Sequence, residues 1–299
     1  MINVTNVSKK FESESVLNNI SLHVNRGSIY GLLGSNGAGK TTLLKMIAGI
    51  FKQDQGSVLV NEAIVFENPS IKEGIIFIPD VLYFFSQYTV KQMASYYKDF
   101  YPNWNQDRFD KMQLILNLDI NKKIQRFSKG MQRQVAFWLA LCAMPQLLIL
   151  DEPFDGLDPV IRQKIKNLII QDVAEREMTV IISSHNLREV EDICDYVGIL
   201  HQGTFILEKD LDDLKSDIHK VQLAFKGEMP AVLLTEVELL YQEKRGSVIL
   251  FIVRGQEHEI DRIITKYKPV VYDLLPLTLE EIFIYEMGDA GYAIENILV

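Results

Sequence analysis

A glycine-rich segment near the start of the chain carries the residues best suited to chemistry. It fits the pattern G-x-x-x-x-G-K-[ST] and contains Gly34, Ser35, Asn36, Gly37, Ala38, Gly39, Lys40, Thr41 and Thr42. Glycines let backbone N–H groups approach phosphate oxygens, and the lysine brings a positive charge to the β- and γ-phosphates of a nucleotide. The hydroxyl of Thr41 suits Mg²⁺. The segment therefore predicts a nucleoside triphosphate site, the alternative being a plain glycine turn.

Two adjacent carboxylates follow an apolar run later in the chain. The run Leu147–Leu150 predicts a buried strand, and Asp151 and Glu152 come directly after it. Ligands of parallel sheets bind at the carboxyl ends of the strands. We expect Asp151 to hold Mg²⁺ and Glu152 to act as general base on an attacking water. The alternative is a solvated acidic end of a strand.

Alternating strands and helices position these two segments. Apolar runs predict strands at Ser28–Leu33, Gly74–Ile78 and Thr179–Ser183, and apolar residues at helical spacing follow the glycine segment. Further predicted elements are strands at Ile2–Val7 and Leu17–Val24, helical periodicity from Val90 to Asn117, and a helix near Val160–Glu175. Strands that alternate with helices indicate an α/β fold with helices on both faces of a sheet.

The composition excludes several classes of protein. The 299 residues are 47% hydrophobic with a net charge of −9, which rules out a disordered chain and gives no overall attraction to nucleic acid. Cys142 and Cys194 stand far apart, so we expect buried thiols in a reducing cytosol and no metal cluster. The most apolar stretch, Trp138–Leu150, is too short to span a membrane.

The pattern changes at about residue 212. From there the sequence predicts strands at Val221–Phe225, Ser247–Val253 and Val270–Leu275, a helix at Glu257–Tyr267 and a last helix from Thr278. We therefore expect a domain at 1–211 and a small α+β accessory domain at 212–299.

Three more motifs complete an ordered set with the glycine segment and the carboxylate strand. They are Phe127-Ser128-Lys129-Gly130-Met131-Gln132, Gly156-Leu157-Asp158 and Ser183-Ser184-His185. In this order the five motifs resemble the ATPase subunit of an ABC transporter over roughly residues 1–210. The resemblance implies a P-loop NTPase core of α/β class with an inserted helical subdomain at about 83–145. It also implies ATP and Mg²⁺ as cofactors and an ATP-dependent, head-to-tail homodimer.

The resemblance also implies roles for individual residues. Ser128 and the Gly130 backbone would contact the γ-phosphate of ATP bound to the partner chain, and His185 would contact the same phosphate. Asp158 would join the two sites. Phe11 matches an aromatic residue that stacks on adenine, the alternative being an ordinary core phenylalanine. Lys40, Glu152 and His185 would together form the catalytic set.

The sequence departs from the family pattern in two places. The family's usual signature is Leu-Ser-Gly-Gly-Gln, and here Phe127, Lys129 and Met131 replace three of its five positions. The charge of Lys129 either contacts phosphate across the dimer or faces solvent. Asp80 stands where the family usually carries Gln or Glu. Because aspartate is one methylene shorter than glutamate, we expect its contact with Mg²⁺ to be mediated by water.

A membrane partner is a further expectation. Residues 83–109 hold ten of the 29 aromatic side chains, which suits a groove for a separate transmembrane subunit docking there and near Asp80; the alternative is packing within the helical subdomain. The signature Lys-Gly-Met, with Tyr101-Pro102-Asn103-Trp104 and Leu279-Glu280-Glu281-Ile282-Phe283, resembles a Gram-positive branch that exports peptides and antibiotics. Such a subunit would be cytoplasmic and peripheral on the inner face of the cell membrane.

Two rival functions remain open from the sequence. The first is a soluble ABC ATPase that acts on ribosomes or DNA, although a single cassette without sustained heptads does not favour it. The second is a nucleotide-binding module without catalysis, which the joint presence of Lys40, Asp151, Glu152 and His185 argues against. We expect the accessory domain to add dimer contacts or to regulate the ATPase.

Overall fold

Strands and helices alternate along the first two thirds of the chain in the computed structural model, which describes residues 1–275 and 277–288. In chain order the elements are β1 (Ile2–Phe11), β2 (Glu14–Val24), β3 (Ile29–Leu33), α1 (Lys40–Ile47), β4 (Gln55–Val60), β5 (Ala63–Ile64), α2 (Pro69–Lys72), β6 (Ile75–Ile78), α3 (Val90–Phe100), α4 (Gln106–Leu116), α5 (Lys129–Cys142), β7 (Leu147–Asp151), α6 (Pro159–Arg176), β8 (Thr179–Ser184), α7 (Leu187–Glu191), β9 (Tyr196–His201) and β10 (Thr204–Asp210). A short 3₁₀ turn at Ile124–Arg126 precedes α5.

The remaining elements belong to the last third. They are α8 (Leu211–Ser216), β11 (Ile218–Ala224), α9 (Leu233–Glu236), β12 (Glu238–Arg245), β13 (Val248–Arg254), α10 (Glu257–Thr265), β14 (Val271–Leu275) and α11 (Leu279–Gly288). The chain divides into two compact units. One comprises 1–185 and 193–208, and the other comprises 186–192 and the described residues from 209 onward. The domain division at 211 and 212, with a helical subdomain at about 83–145, stays a prediction.

A six-stranded sheet forms the centre of the first unit, with strand order β10-β9-β3-β8-β7-β6. Pairs β3–β8, β7–β8 and β6–β7 are parallel, so their carboxyl ends meet at one edge. Every residue of β3 and β7 is buried, as expected for a sheet covered on both faces. The strands predicted at Ser28–Leu33, Gly74–Ile78 and Leu147–Leu150 are confirmed.

An antiparallel sheet of order β2-β1-β4-β5 lies in the same unit. Its inward side chains, such as Val4 and Leu22, form one hydrophobic core with Leu43, Leu44 and Ile47 of α1. Packing of α1 into this core fixes the position of the glycine segment that precedes the helix.

The helical region differs from the sequence prediction. Helical periodicity predicts helix from Val90 to Asn117, but the structure contains two helices, α3 and α4, separated by 101–105. Pro102 has no N–H to donate, and the side chain of Asn105 caps α4 by accepting a hydrogen bond from the Arg108 N–H at 2.8 Å. These residues end one helix and begin the next.

The second unit contains an antiparallel sheet of order β12-β13-β11-β14. Val221, Phe251 and Ile260 are buried in its core with the apolar face of α10. The predicted strands and helices of this part are confirmed, whereas α8, α9 and β12 were not predicted.

Helix α7 belongs to this second unit. The Glu191 carboxylate accepts a hydrogen bond from the Leu279 N–H at 3.2 Å and pairs with Lys215 at 2.9 Å. Arg188 lies 3.4 Å from the Glu280 carboxylate. Of the helices in the described part of the chain, none has the length and apolar character needed to span a bilayer.

Candidate nucleotide site

The glycine segment forms a tight loop between β3 and α1. Gly34 and Gly39 have φ values of 153° and 107°, which L side chains rarely adopt. A Cβ atom on Gly34 would lie 2.3 Å from the Leu200 carbonyl oxygen, and one on Gly39 would lie 2.7 Å from Leu17. Glycine is therefore required at both positions, since the backbone passes directly against its neighbours.

The side chain of Lys40 folds back over this loop. Its ammonium donates hydrogen bonds to the Gly34 carbonyl at 2.6 Å and to the Ser35 carbonyl at 3.2 Å. A buried ammonium held by backbone oxygens is a fixed positive charge inside the ring of the loop. This arrangement matches the space and the charge that a phosphate chain requires.

Asp151 lies opposite the start of α1. Its two carboxylate oxygens accept hydrogen bonds from the Thr41 hydroxyl at 2.8 Å and from the Ser183 hydroxyl at 2.6 Å. A hydroxyl and a carboxylate in contact form an oxygen donor set of the kind that Mg²⁺ prefers. These two residues therefore fit the metal-binding role predicted for them.

Glu152 lies between two groups predicted to be catalytic. Its Oε1 is 3.3 Å from the Lys40 ammonium and its Oε2 is 2.9 Å from Nδ1 of His185. Among the described residues, Oε1 is a buried oxygen without a hydrogen-bond donor in suitable geometry, so the ion pair with Lys40 is its main contact. A carboxylate with one oxygen that accepts no hydrogen bond suits a general base.

A cavity of about 370 Å³ opens beside these groups. Lys40, Thr41, Asp80 and Glu152 line it together with most of the glycine segment. The cavity thus brings together three of the predicted metal-binding and catalytic parts of the sequence: the glycine segment, Asp80, and Glu152 after the carboxylate strand. The oxygen atoms of Thr41 and Asp151 and the buried Lys40 ammonium fit a nucleoside triphosphate with Mg²⁺.

Phe11 lies on the surface. Its side chain is 41% exposed and meets Phe51 edge to face at a centroid distance of 5.5 Å. The alternative of an ordinary core phenylalanine is therefore wrong. An exposed ring remains available for stacking on a base.

The signature residues do not line the nucleotide cavity. Ser128 and Lys129 are exposed at the start of α5, where Ser128 Oγ accepts a hydrogen bond from the Met131 N–H at 3.2 Å. Asp158 caps α6 in the same way, accepting from the Val160 and Ile161 N–H groups. None of these is among the residues that line the cavity beside Lys40.

One residue of the site was not predicted from the sequence. Arg133 of α5 donates hydrogen bonds to the carbonyl oxygens of Asp80 and Glu152. In the sequence it is one of several cations in a helical pattern, and no spacing distinguishes it from a surface arginine. Only the packing of α5 against the sheet shows its position.

Comparisons with known proteins agree with this geometry. Residues 17–155 match the family model described as ABC transporter. The ABC transporter ATP-binding protein YtrB of Bacillus subtilis (strain 168) is 32% identical over 288 residues, which cover 96% of this chain and 98% of that protein. The chain belongs to the ABC transporter ATP-binding protein family. The predictions of an ABC ATPase and of a P-loop NTPase fold are thereby confirmed.

A second relative and a solved structure extend the comparison. The bacitracin transport ATP-binding protein BcrA of Bacillus licheniformis is 30% identical over 289 residues and 94% of each chain. The structure of the ATP-binding cassette MJ0796, a dimer in a post-hydrolysis state bound to ADP and Pi, has a TM-score of 0.64 at 22% identity, over 71% of this chain and 99% of that one. It shows that the fold is shared.

This ABC protein is therefore the ATP-hydrolysing subunit of a transporter. Cassettes of the family bind ATP, form dimers and act with transmembrane subunits. The alternative of a soluble ATPase that acts on ribosomes or DNA is not favoured, because the relatives of this chain are ATP-binding proteins of transporters.

Proposed function

We propose that this chain hydrolyses ATP with Glu152 as general base to power peptide or antibiotic export through a separate transmembrane subunit. The observation that carries the proposal is the position of Glu152 between the Lys40 ammonium and the His185 ring. Lys40 binds the phosphates and His185 orients the Glu152 carboxylate toward the attacking water and the γ-phosphate. This geometry supplies the base and the charge that phosphoryl transfer needs.

The metal is assigned to the Thr41 hydroxyl, which lines the cavity, and to the Asp151 carboxylate that accepts its hydrogen bond. Thr41 and Asp151 would hold Mg²⁺, which neutralises charge on the β- and γ-phosphates when it is bound. Asp80 lines the same cavity with an exposed carboxylate, and it would contact the metal through a water molecule because its side chain is one methylene shorter than that of glutamate. Phe11 contributes its exposed ring to the adenine.

The second half of each site comes from the partner chain of a head-to-tail homodimer. Ser128, Lys129 and the Gly130 backbone lie at the exposed start of α5, where a helix N-terminus and a lysine attract phosphate. Ser128 and Lys129 are exposed, and none of the three residues lines the chain's own nucleotide cavity, which supports contact in trans. Asp158, at the start of α6, joins the two sites.

The transmembrane subunit docks at the aromatic segment, residues 83–109, beside Asp80. A cavity of about 230 Å³ in this segment is lined by Tyr83, Phe85, Met93, Tyr96, Tyr97, Phe100 and Tyr101. Tyr83 and Phe100 are exposed, whereas Phe109 stacks on Trp138 in the interior. The segment therefore supplies both a docking surface and a local core. The chain would act at the inner face of the cell membrane, and no nucleic acid is involved.

The class of transported molecule rests on the relatives. BcrA, which is similar along 94% of this chain, is named for bacitracin transport. A peptide antibiotic of this kind is the substrate class that we assign to the complete transporter.

The Glu152→Gln variant tests the proposal. Loss of the base should lower the rate of phosphate release by about 100-fold or more while ATP binding is kept. The ATP-bound dimer should then accumulate in size-exclusion chromatography with light scattering. Glu73→Gln, a matched change at an exposed glutamate, should behave as the wild type does.

The same variant identifies the partner. Purified from native membranes with ATP, Glu152→Gln should bring down a polytopic membrane protein that mass spectrometry identifies. Recovery of ribosomal or DNA-associated proteins would overturn the transport assignment. A hydrolysis rate within about threefold of the wild type would overturn the role of Glu152, since a general base contributes far more than this.

A further inference from the structure

Arg133 connects two loops of the nucleotide site that no motif joins. We propose that Arg133 is a positioning residue that holds the Glu152 main chain in place and ties it to the Asp80 segment. The proposal rests on the role of Glu152 as general base given above. It makes the geometry of that base depend on the segment where the membrane partner is proposed to dock.

The contacts of the guanidinium carry the argument. Arg133 is 8% exposed, and its Nη2 donates hydrogen bonds to the Asp80 carbonyl at 2.7 Å and to Asp80 Oδ1 at 3.3 Å. Its Nη1 donates to the Glu152 carbonyl oxygen. Asp80 follows β6 and Glu152 follows β7, so one side chain links the segments that come directly after two neighbouring strands.

The main chain of Glu152 needs such support. Its φ is 45°, in the left-handed region that residues other than glycine rarely adopt. On one side the Glu152 N–H donates to the Ser183 hydroxyl at 3.1 Å, and on the other side the carbonyl accepts from Arg133. Hydrogen bonds thus fix both the main-chain N–H and the main-chain carbonyl of Glu152. The direction of its side chain, toward Lys40 and His185, follows from that clamp.

Arginine suits this task better than lysine. The guanidinium is planar and donates in two directions at once, so it can hold two loops in a fixed relation. A lysine ammonium can reach one of the two carbonyls but lacks the fork that spans both. We therefore expect Arg133→Lys to keep the fold and part of the positioning.

Arg133 also connects the site to the signature helix. It lies on α5, the helix that begins directly after Ser128. A shift of α5 or of Asp80 would therefore change the hydrogen bond that Arg133 donates to Glu152. Because the link acts on the main chain of the base, it affects hydrolysis without touching the nucleotide.

Steady-state kinetics of the full chain test the proposal. Arg133→Met removes the fork and keeps an apolar stem, and kcat should fall by about tenfold to 100-fold because a misplaced group loses alignment. KM for ATP and the affinity for a non-hydrolysable ATP analogue should stay within about threefold, since Arg133 contacts neither phosphate loop nor base-stacking residue. Arg133→Lys should give an intermediate kcat. Arg262→Met, at an exposed arginine of α10, is the matched control.

A double variant separates this proposal from a merely structural role. If Arg133 acts through Glu152, adding Arg133→Met to Glu152→Gln should not lower the residual rate further. A full additional loss, or a parallel loss of ATP affinity, would mean that Arg133 only maintains the fold. Where Arg133→Met does not fold, the kcat and KM of Arg133→Lys decide in the same way.

The two proposals fail differently. A Glu152→Gln chain that hydrolyses ATP normally refutes the assignment of the base. Loss of hydrolysis in Glu152→Gln together with a wild-type kcat in Arg133→Met refutes only the positioning role.

Discussion

Asp172 is a buried carboxylate that holds two helices together. It lies in α6, is 3% exposed, and accepts hydrogen bonds from Arg108 Nη1 at 2.7 Å and from Arg176 Nη2 at 3.0 Å. Arg108 belongs to α4, so the carboxylate joins the helical region to a helix of the sheet layer. The perturbation we consider is Asp172→Asn, which removes the charge and keeps the shape.

The loss of stability in Asp172→Asn depends on how well the two guanidinium groups are compensated after the carboxylate charge is removed. Breaking a buried ion pair by removing one charge costs about 3–5 kcal/mol, because the other charge is left without compensation. Here the two guanidinium groups are 18% and 20% exposed, so water screens part of their charge. The asparagine oxygen also keeps one acceptor. We therefore expect the free energy of unfolding to fall by about 2–3 kcal/mol.

Tryptophan fluorescence can follow this unfolding selectively. Trp104 and Trp138, the two tryptophans of the sequence, both lie in the first unit, and Trp138 stacks on Phe109 of α4 at 4.5 Å. The expected loss lowers the midpoint of thermal unfolding by about 5–10 °C for a unit of this size. Asp99→Asn, the same substitution at an exposed position of α3, should change stability by less than about 0.5 kcal/mol.

A double-mutant cycle with Arg108→Met completes the test. The two losses should be strongly non-additive, since each variant removes the same contact. A loss in Asp172→Asn below about 1 kcal/mol would refute the reasoning, because only a surface-like, screened pair has so small a value.

Two further predictions concern the glycine loop and the cysteines. Gly34→Ala should abolish binding of a fluorescent ATP analogue, because the new Cβ would lie 2.3 Å from the Leu200 carbonyl oxygen. A Cβ on Gly37 has open space around it, so Gly37→Ala should bind the analogue more tightly than Gly34→Ala does. Equal affinities of the two variants would contradict this prediction. Burial raises the pKa of the Cys142 thiol to about 12 and also raises that of Cys194. Native protein at neutral pH should therefore resist iodoacetamide, while denatured protein takes up two equivalents, and rapid native labelling would be inconsistent with the fold. The stabilisation from these protonated thiols is complete below their ordinary pKa of 9.0 and declines as pH rises above it.

The site motifs could be predicted because each is local. Gly34–Lys40 is a run whose geometry is determined by its own glycines, and Asp151 and Glu152 follow directly from the end of a strand. The apolar runs that precede these two motifs predict buried strands clearly. Parallel pairing then brings these ends to one edge, as the sequence prediction required.

Other features depend on contacts between distant residues. The role of Arg133 follows from two carbonyl groups that are 53 and 19 residues away along the chain. Strand β12, Glu238–Arg245, is half exposed and rich in charge, so its pattern lacks the apolar alternation of a strand. The break after α3 did have a local signal, since Pro102 and the capping Asn105 lie within it.

The second unit consists of two separate stretches of sequence, which limits where this chain can be divided. Residues 186–192, which follow His185 directly, belong to that unit, and Glu191 has partners at Lys215 and at the Leu279 N–H. Leu187 and Val190 of α7 are buried. A chain cut at residue 211 therefore loses both partners of Glu191. Recombination that exchanges the C-terminal segment must exchange 186–192 with it, so these two stretches of sequence have to be inherited as a matched pair.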